Sequence, residues 1–159
     1  MQRRSFLALP LLVSAVSCAK SKDKEEAWRV IESVQNHLLP RSKKYPSASD
    51  VQATRYLKMV SHHDSFDKDD LDFILSGVER LQDAGYKTIM IDKEKERVLE
   101  TFSQTQYGEN WLSLLINYTL EAMFSDPLYG GNKDEKGWNA YQHKAGNPRP
   151  TKTFGAKHG

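Results

Sequence analysis

Apolar residues recur at helical spacing in five segments, and the first two lie before residue 63. The first segment is 25–39, which Pro40 ends because proline cannot continue a helix. Its inward positions are Ala27, Ile31, Val34 and Leu38. The second follows Ser47 and Asp50, whose spacing is that of a capping box, and ends near His62. Its apolar positions are Val51, Tyr56, Leu57 and Val60.

The third segment carries the clearest amphipathic stripe in the chain. Asp67 and Asp70 repeat the capping pattern at its start, and Gly85 provides a left-handed residue after its end. The stripe consists of Leu71, Ile74, Leu75, Val78 and Leu81. Residues 86–91 alternate in polarity, but a lone short strand would have no partner. We therefore predict a packed loop there.

The fourth and fifth segments complete a helical domain. Asp92 is expected to cap the fourth helix, with Val98, Leu99 and Phe102 facing inward. The fifth helix, 109–124, is apolar around most of its circumference, which predicts burial on several sides. An all-α bundle of about five helices follows, and sandwiches, barrels and Rossmann folds are excluded.

Residues 126–159 differ from the rest in being rich in glycine and proline. This stretch nevertheless contains four aromatic residues, Tyr129, Trp138, Tyr141 and Phe154, whereas disordered tails are poor in aromatics. We predict an irregular, extended C-terminal segment whose rings pack on the bundle or on another protein. The chain thus divides into an N-terminal segment 1–19, a helical domain 20–125 and a docking segment 126–159.

The N-terminal segment has the parts of an export signal in order. Arg3, Arg4, Phe6 and Leu7 resemble the twin-arginine signal R-R-x-F-L, which exports folded proteins. The apolar run 6–16 is too short to cross a membrane, for which about 20 residues are needed. We therefore expect a periplasmic protein.

The end of this segment resembles a lipobox. Ala15-Val16-Ser17-Cys18 places a cysteine after a small residue, which predicts lipidation of Cys18 and membrane association. Ordinary cleavage after Ala19 and a buried N-terminal helix are the alternatives. Residues 20–26 are strongly polar and are expected to form a solvated tether.

Charge and cysteine content exclude several functions. Lys and Arg total 23 and Asp and Glu total 21, and the totals become equal once Arg3 and Arg4 are removed, so no polybasic nucleic-acid surface is expected. Cys18 is the single cysteine, which excludes intrachain disulfides and multi-thiolate metal sites. No histidine pair has i, i+4 spacing, and we predict no metal site. His62-His63-Asp64 is interpreted as a solvated turn.

Cofactor and catalytic motifs are also missing from the sequence. It contains no G-x-G-x-x-G after a strand and no C-x-x-C-H, so the chain itself is not expected to bind FAD or haem. Residues 64–70 lack the glycine and distal glutamate of a calcium loop. No nucleophile–base pair is recognisable, and we predict no catalytic residues.

A resemblance rests on the sequence F-x-D-P-x-Y-G-G-N at Phe124 to Asn132, followed by Gly137-Trp138. Residues 124–138, here called the signature segment, resemble the gluconate 2-dehydrogenase subunit 3 family. Residues 38–41 (L-L-P-R) and 48–57 agree more loosely with the same family. After Trp138 the sequence departs from the family's G-F-P-G turn, which leaves the partner enzyme's substrate open.

The resemblance implies a non-catalytic small (gamma) subunit of a periplasmic, FAD-dependent sugar or sugar-acid dehydrogenase. Its partners would be a large flavoprotein of the glucose-methanol-choline type, a c-type cytochrome carrying haem c, and the twin-arginine translocase during export. The subunit would aid export, maturation and assembly of the flavoprotein. The residues expected to dock on it are Asp126, Pro127, Tyr129, Gly130, Gly131, Asn132, Gly137 and Trp138.

Alternatives to docking remain open at this point. The same residues are those of an elaborate helix stop, since Asp-Pro ends helices and Gly-Gly permits close backbone approach. A phosphate-binding loop is disfavoured because no Lys-Ser pair follows Gly131. A free-standing periplasmic lipoprotein, acting in ligand binding or envelope assembly, is the rival function, and a small helical enzyme is a second.

Overall fold

The computed structural model describes the backbone of residues 13–149 and the side chains of residues 24–149. This part of the chain forms six α-helices and contains no strand, which confirms the all-α prediction. The helices are α1 Val13–Leu38, α2 Ala53–Val60, α3 Lys68–Asp83, α4 Asp92–Ser103, α5 Gln106–Phe124 and α6 Lys136–Ala140. Two short 3₁₀ turns, Pro127–Tyr129 and Lys133–Glu135, lie between α5 and α6.

Helix α5 is the central helix of the bundle, because it packs against α1, α2, α3, α4 and α6. Trp111 and Leu115 are fully buried, as its all-round apolar sequence predicted. They join a large core cluster that includes Ile31, Ile74 and Leu99 from the surrounding helices. A second cluster, formed by Ala48, Val51, Ala53, Tyr56, Ala122 and Met123, fills the space between α2 and the end of α5.

A buried hydrogen-bonded chain ties three helices together. The side chain of Gln35 in α1 is fully buried, and its Nε2 donates to Thr119 Oγ1 of α5 at 3.0 Å. Its Oε1 accepts from Thr54 Oγ1 of α2 at 2.7 Å. Thr119 in turn donates to the carbonyl of Leu115 at 2.7 Å. The polar atoms of this chain are therefore paired, which removes most of the cost of burying them.

The starts of α1, α4 and α5 differ from the sequence predictions. Helix α1 begins at Val13, so the prediction of a tether at 20–26 was wrong and that stretch is helical. Helix α5 begins at Gln106 because Thr105 caps it, its hydroxyl accepting from the Gly108 N–H at 3.0 Å. Asp92 is the first residue of α4 and not its cap, which is Ile91. There its carboxylate still faces the positive end of the helix dipole.

The ends of α3 confirm most of that prediction. Asp67 caps the helix by accepting from the Asp69 N–H at 2.9 Å, and Gly85 adopts φ 97° beyond its end. Asp70 does not complete the capping box, since it accepts from the Tyr118 hydroxyl at 2.6 Å. In the following loop Tyr86 is buried as expected, but Ile89 is 89% exposed, so a packed loop is wrong at that residue.

The Ser47–Asp50 capping box forms, but α2 does not start there. Ser47 donates to Asp50 Oδ2 from its N–H (3.0 Å) and its hydroxyl (2.8 Å), and Asp50 donates from its N–H to Ser47 Oγ (3.2 Å). Gln52 then takes the left-handed conformation at φ 57°, which interrupts helical geometry. Helix α2 consequently begins at Ala53, and the box stabilises a turn before it.

We expect the free energy of unfolding to decrease at acid pH because of Asp50 in this turn. Hydrogen bonds from the N–H and hydroxyl of Ser47, with the Arg41 guanidinium, lower the pKa of Asp50 from 3.8 to about 2. Because the folded pKa lies below the unfolded one, the stabilisation is present above pH 4 and is lost as pH falls towards 2. Carboxyl chemical shifts titrated by NMR should give the low pKa directly.

The control is Asp50→Asn, which removes the titrating group. This variant should be less stable than the parent at pH 7, and the difference should shrink between pH 4 and 2. A difference that stays constant across that range would contradict the assignment.

Candidate functional site

The signature segment folds back over the carboxyl end of α5. Asp126 stops the helix, and its Oδ1 accepts from the Leu128 N–H at 3.1 Å. Pro127 opens the 3₁₀ turn, which Gly130 ends at φ 89°, a conformation that costs glycine little. Tyr129 is half-buried and packs on the cluster around Tyr56.

Asn132 is the centre of this fold-back. It is fully buried, and its backbone N–H donates to the carbonyl of Ala122 at 2.6 Å. Its side-chain Nδ2 donates to the carbonyl of Ser125 at 3.0 Å, while Oδ1 accepts from the Gly137 N–H at 2.8 Å. The last carbonyls of a helix lack hydrogen-bond donors within that helix. Asn132 supplies donors to two such carbonyls at the end of α5, those of Ala122 and Ser125.

Trp138 supplies a third partner to the end of α5. Its ring is buried, with 6% of the residue exposed, and Nε1 donates to the carbonyl of Phe124 at 2.7 Å. Gly131 and Gly137 let the backbones meet, since a Cβ would lie 2.5 Å from the Ala122 carbonyl oxygen and 2.0 Å from that of Met123. No side chain fits at either position without moving the main chain.

An ion-pair cluster closes the outer side of the segment. Arg149 donates from Nη2 to Asp126 Oδ2 at 3.1 Å and from Nη1 to Glu135 Oε1 at 2.6 Å. Its guanidinium carbon lies 5.2 Å from the centre of the Trp138 ring. The chain as far as Arg149 is thereby fastened over the signature segment.

All eight residues predicted to dock on a partner lie in this one unit. Gly130, Gly131, Asn132, Gly137 and Trp138 are buried against the chain's own bundle, and Asp126, Pro127 and Tyr129 are half-buried. The helix-stop interpretation therefore holds for them, while docking stays a prediction. The other predicted site residues, Arg3, Arg4, Phe6 and Leu7, lie outside the described residues. Cys18 is in α1, and its side chain is not described.

An exposed aromatic cluster lies beside the fold-back. Phe124 is 44% and Tyr141 51% exposed, and their rings meet edge to face at 5.1 Å. Tyr45, from the α1–α2 connection, stacks on Tyr141 at 4.9 Å. The sequence predicted Phe124 to lie in a helix buried on several sides. It gave no signal that Tyr45 meets Tyr141, because no periodicity relates residues so far apart.

A basic recess of about 490 Å³ adjoins this cluster. It is lined by four cations among its ten residues, Arg41, Lys43, Lys44 and Lys136. Arg41 is paired with Asp50, whereas Lys44 lies 5.0 Å from the centre of the Tyr45 ring. We call the cluster and the recess together the aromatic–basic surface.

Side chains of catalytic types line one surface cleft, among them Ser33, His37, Lys95 and Glu96. The Ser33 hydroxyl is hydrogen-bonded to the Tyr86 hydroxyl at 2.9 Å. His37 and Glu96 approach to 2.5 Å at the edge of this cleft, without a nucleophile in hydrogen-bond contact with either. His62 and His63 engage different partners, the Lys58 carbonyl and the Ser65 hydroxyl, and belong to the turn that follows α2. Among residues 24–149, no three His, Cys, Asp or Glu side chains are grouped as metal ligands.

The described helices also include no candidate for a membrane span, since none combines sufficient length with sufficient hydropathy. The protein is a small all-α bundle. A segment rich in glycine and aromatic residues folds back over the carboxyl end of its central helix, α5.

Comparison with known families then assigns the chain. The family model for gluconate 2-dehydrogenase subunit 3 matches residues 25–146, which include the bundle and the signature segment. The chain belongs to this family. Neither the curated proteins nor the solved structures gave a significant match.

Proposed function

We propose that the chain is an accessory subunit of a periplasmic, FAD-dependent gluconate 2-dehydrogenase-like complex. The observation that carries the proposal is the family match over 25–146, whose name is that of a dehydrogenase subunit. The catalytic flavoprotein would be a separate, large chain of the glucose-methanol-choline type that holds the FAD. A c-type cytochrome would accept its electrons.

The N-terminal sequence supports a role in export. Arg3, Arg4, Phe6 and Leu7 have the twin-arginine pattern, which is read on proteins that cross the membrane already folded. A flavoprotein must bind its FAD before such a crossing, so a subunit that carries the signal would take the loaded partner with it. Lipidation at Cys18 would then hold the complex at the membrane, where a second contact would be needed for stable binding.

Co-purification tests this proposal. The full chain, tagged after Gly159, is expressed in its native host and isolated from the membrane fraction, and the absorbance spectrum is recorded. We expect a stoichiometric large subunit with the absorbance of bound flavin. A colourless, solitary chain would overturn the proposal and favour the rival, a free-standing periplasmic lipoprotein.

The export role has its own test. Arg3→Lys/Arg4→Lys keeps the charge but removes the twin-arginine pattern, so dehydrogenase activity should move from the periplasm to the cytoplasm. The matched control, Lys22→Arg/Lys24→Arg, changes two basic residues outside the motif and should leave activity in the periplasm. Normal periplasmic activity in the first variant would rule out escort by this chain.

A further inference from the structure

The outer face of α5 carries an apolar stripe that the described part of the chain leaves partly exposed. Ile116, Leu120 and Phe124 follow one another at four-residue spacing, which places them on one face of the helix. They are 37%, 39% and 44% exposed. Single exposed apolar residues are ordinary, whereas a contiguous row marks an interaction surface.

The stripe runs directly into the aromatic–basic surface. Phe124 is its last residue, and Tyr141 and Tyr45 continue it through ring contacts at 5.1 and 4.9 Å. The three rings come from α5, the end of α6 and the α1–α2 connection, so the folded bundle holds them in place before any partner binds. Aromatic side chains fixed in this way bind at a low entropic cost.

The charge of the recess indicates what such a partner must carry. Among the described residues Lys43, Lys44 and Lys136 form no ion pair, and the carboxylate of Asp50 is already engaged by Arg41 and Ser47. The recess is therefore cationic. This positive charge is local, because residues 20–159 contain equal numbers of acidic and basic residues. Carboxylates are the complementary groups, and steering by such a patch also speeds association.

We propose that the aromatic–basic surface binds an acidic segment of the flavoprotein subunit, which places an apolar side chain against Phe124 and Tyr141 and carboxylates in the lysine recess. This rests on the proposed function above, and it adds the face and the chemistry of the contact. An anionic bilayer is the competing occupant of this cationic surface, and vesicle sedimentation distinguishes it from the flavoprotein.

The buried signature residues act through this surface. Trp138 and Asn132 fasten α6 to the end of α5, and Tyr141 is the residue that follows α6. The signature segment thereby positions Tyr141 over Phe124. Its residues are positioning residues for the contact, while Phe124, Tyr45, Tyr141 and the lysines touch the partner.

Two kinds of variant test the surface in the full chain, expressed in the native host. Lys43→Glu/Lys44→Glu should lower the amount of co-purified flavoprotein at least about tenfold, and Tyr141→Ala should act in the same direction. The matched controls are Lys87→Glu/Lys93→Glu, with the same change of charge elsewhere, and Ile89→Ser, another exposed apolar residue. The controls should stay within about twofold of the parent, and thermal melts should confirm that all variants fold.

A photo-crosslinking amino acid at position 141, with position 89 as control, identifies the contact directly. An adduct at 141 with the flavin-containing chain supports the proposal. Full retention of the flavoprotein by the lysine and tyrosine variants, without a 141 adduct, overturns the surface and leaves the accessory role intact. An adduct with the cytochrome overturns the assigned partner alone, and an adduct with a protein from outside the dehydrogenase complex overturns the proposed function as well.

Vesicles test the competing occupant. Sedimentation with phosphatidylglycerol vesicles should be the same for the parent and for Lys43→Glu/Lys44→Glu. Binding that the double variant loses, in the absence of any 141 adduct, would assign the surface to the membrane and overturn the proposal.

Discussion

Trp111→Ala is expected to lower the free energy of unfolding by about 3–5 kcal/mol. The ring is fully buried at the centre of the bundle, it meets Phe102 edge to face at 5.9 Å, and Nε1 donates to the Ile74 carbonyl at 3.0 Å. Gly77 lies so close that a Cβ there would be 2.0 Å from Nε1, so α3 is shaped around this side chain. Truncation leaves a cavity that rigid helices cannot close.

Urea unfolding followed by circular dichroism measures this loss. Trp111→Phe keeps much of the ring but removes the donor, and should cost less than the alanine variant. Asn117→Ala, exposed on the same helix, should change stability by no more than about 0.5 kcal/mol. A loss below about 1 kcal/mol for Trp111→Ala would show that α5 is not the core helix described above.

Asn132→Ala is expected to cost about 3 kcal/mol, because two effects add. The Gly137 N–H and the Ser125 carbonyl both lose their partner, at about 1–3 kcal/mol for a buried group. Residue 132 also holds φ 41°, where asparagine is tolerated and alanine is strained. The fold-back should loosen, and retention of the flavoprotein should fall with it.

The informative control is Asn132→Gly, which tolerates the same backbone conformation but removes both side-chain hydrogen bonds. We expect its loss to be smaller than that of alanine. Hydrogen exchange at the Gly137 amide should speed up in Asn132→Ala more than exchange in the centre of α3. Equal stability of the alanine variant and the parent would falsify the role given to Asn132.

Most helices of the bundle could be predicted from the sequence, because helical spacing and capping depend on residues that are close together in the chain. The stripe of α3 and the capping by Asp67 were read correctly, since spacing and capping involve residues within two turns of one another. The start of α2 was missed because Gln52 adopts φ 57°, which no composition rule assigns to glutamine. The helix at 20–26 was missed because its charged residues are compatible both with a solvated tether and with a solvated helix.

The candidate site was located by its motif, but its architecture was not predictable. Glycines, Asp-Pro and Asn indicated a helix stop, yet the bond from Trp138 to the Phe124 carbonyl joins residues that no local rule relates. Polar Asn132 is buried because it replaces the missing partners of a helix end. The surface formed by Tyr45 and Tyr141 depends on how α6 is placed, which is a tertiary result.

The chain from Gln35 through Thr54 and Thr119 also limits which packings of the bundle are possible. Apolar faces of helices tolerate sliding, because one leucine can replace another in the same groove. A shift of α5 along α1 by one turn, about 5.4 Å, would separate Gln35 from Thr119 and leave the buried Nε2 donor of Gln35 without its partner in an apolar core. Gln35 therefore fixes the position of α5 along the axis of α1. The position of the aromatic–basic surface, which includes the last residue of α5, depends on that alignment.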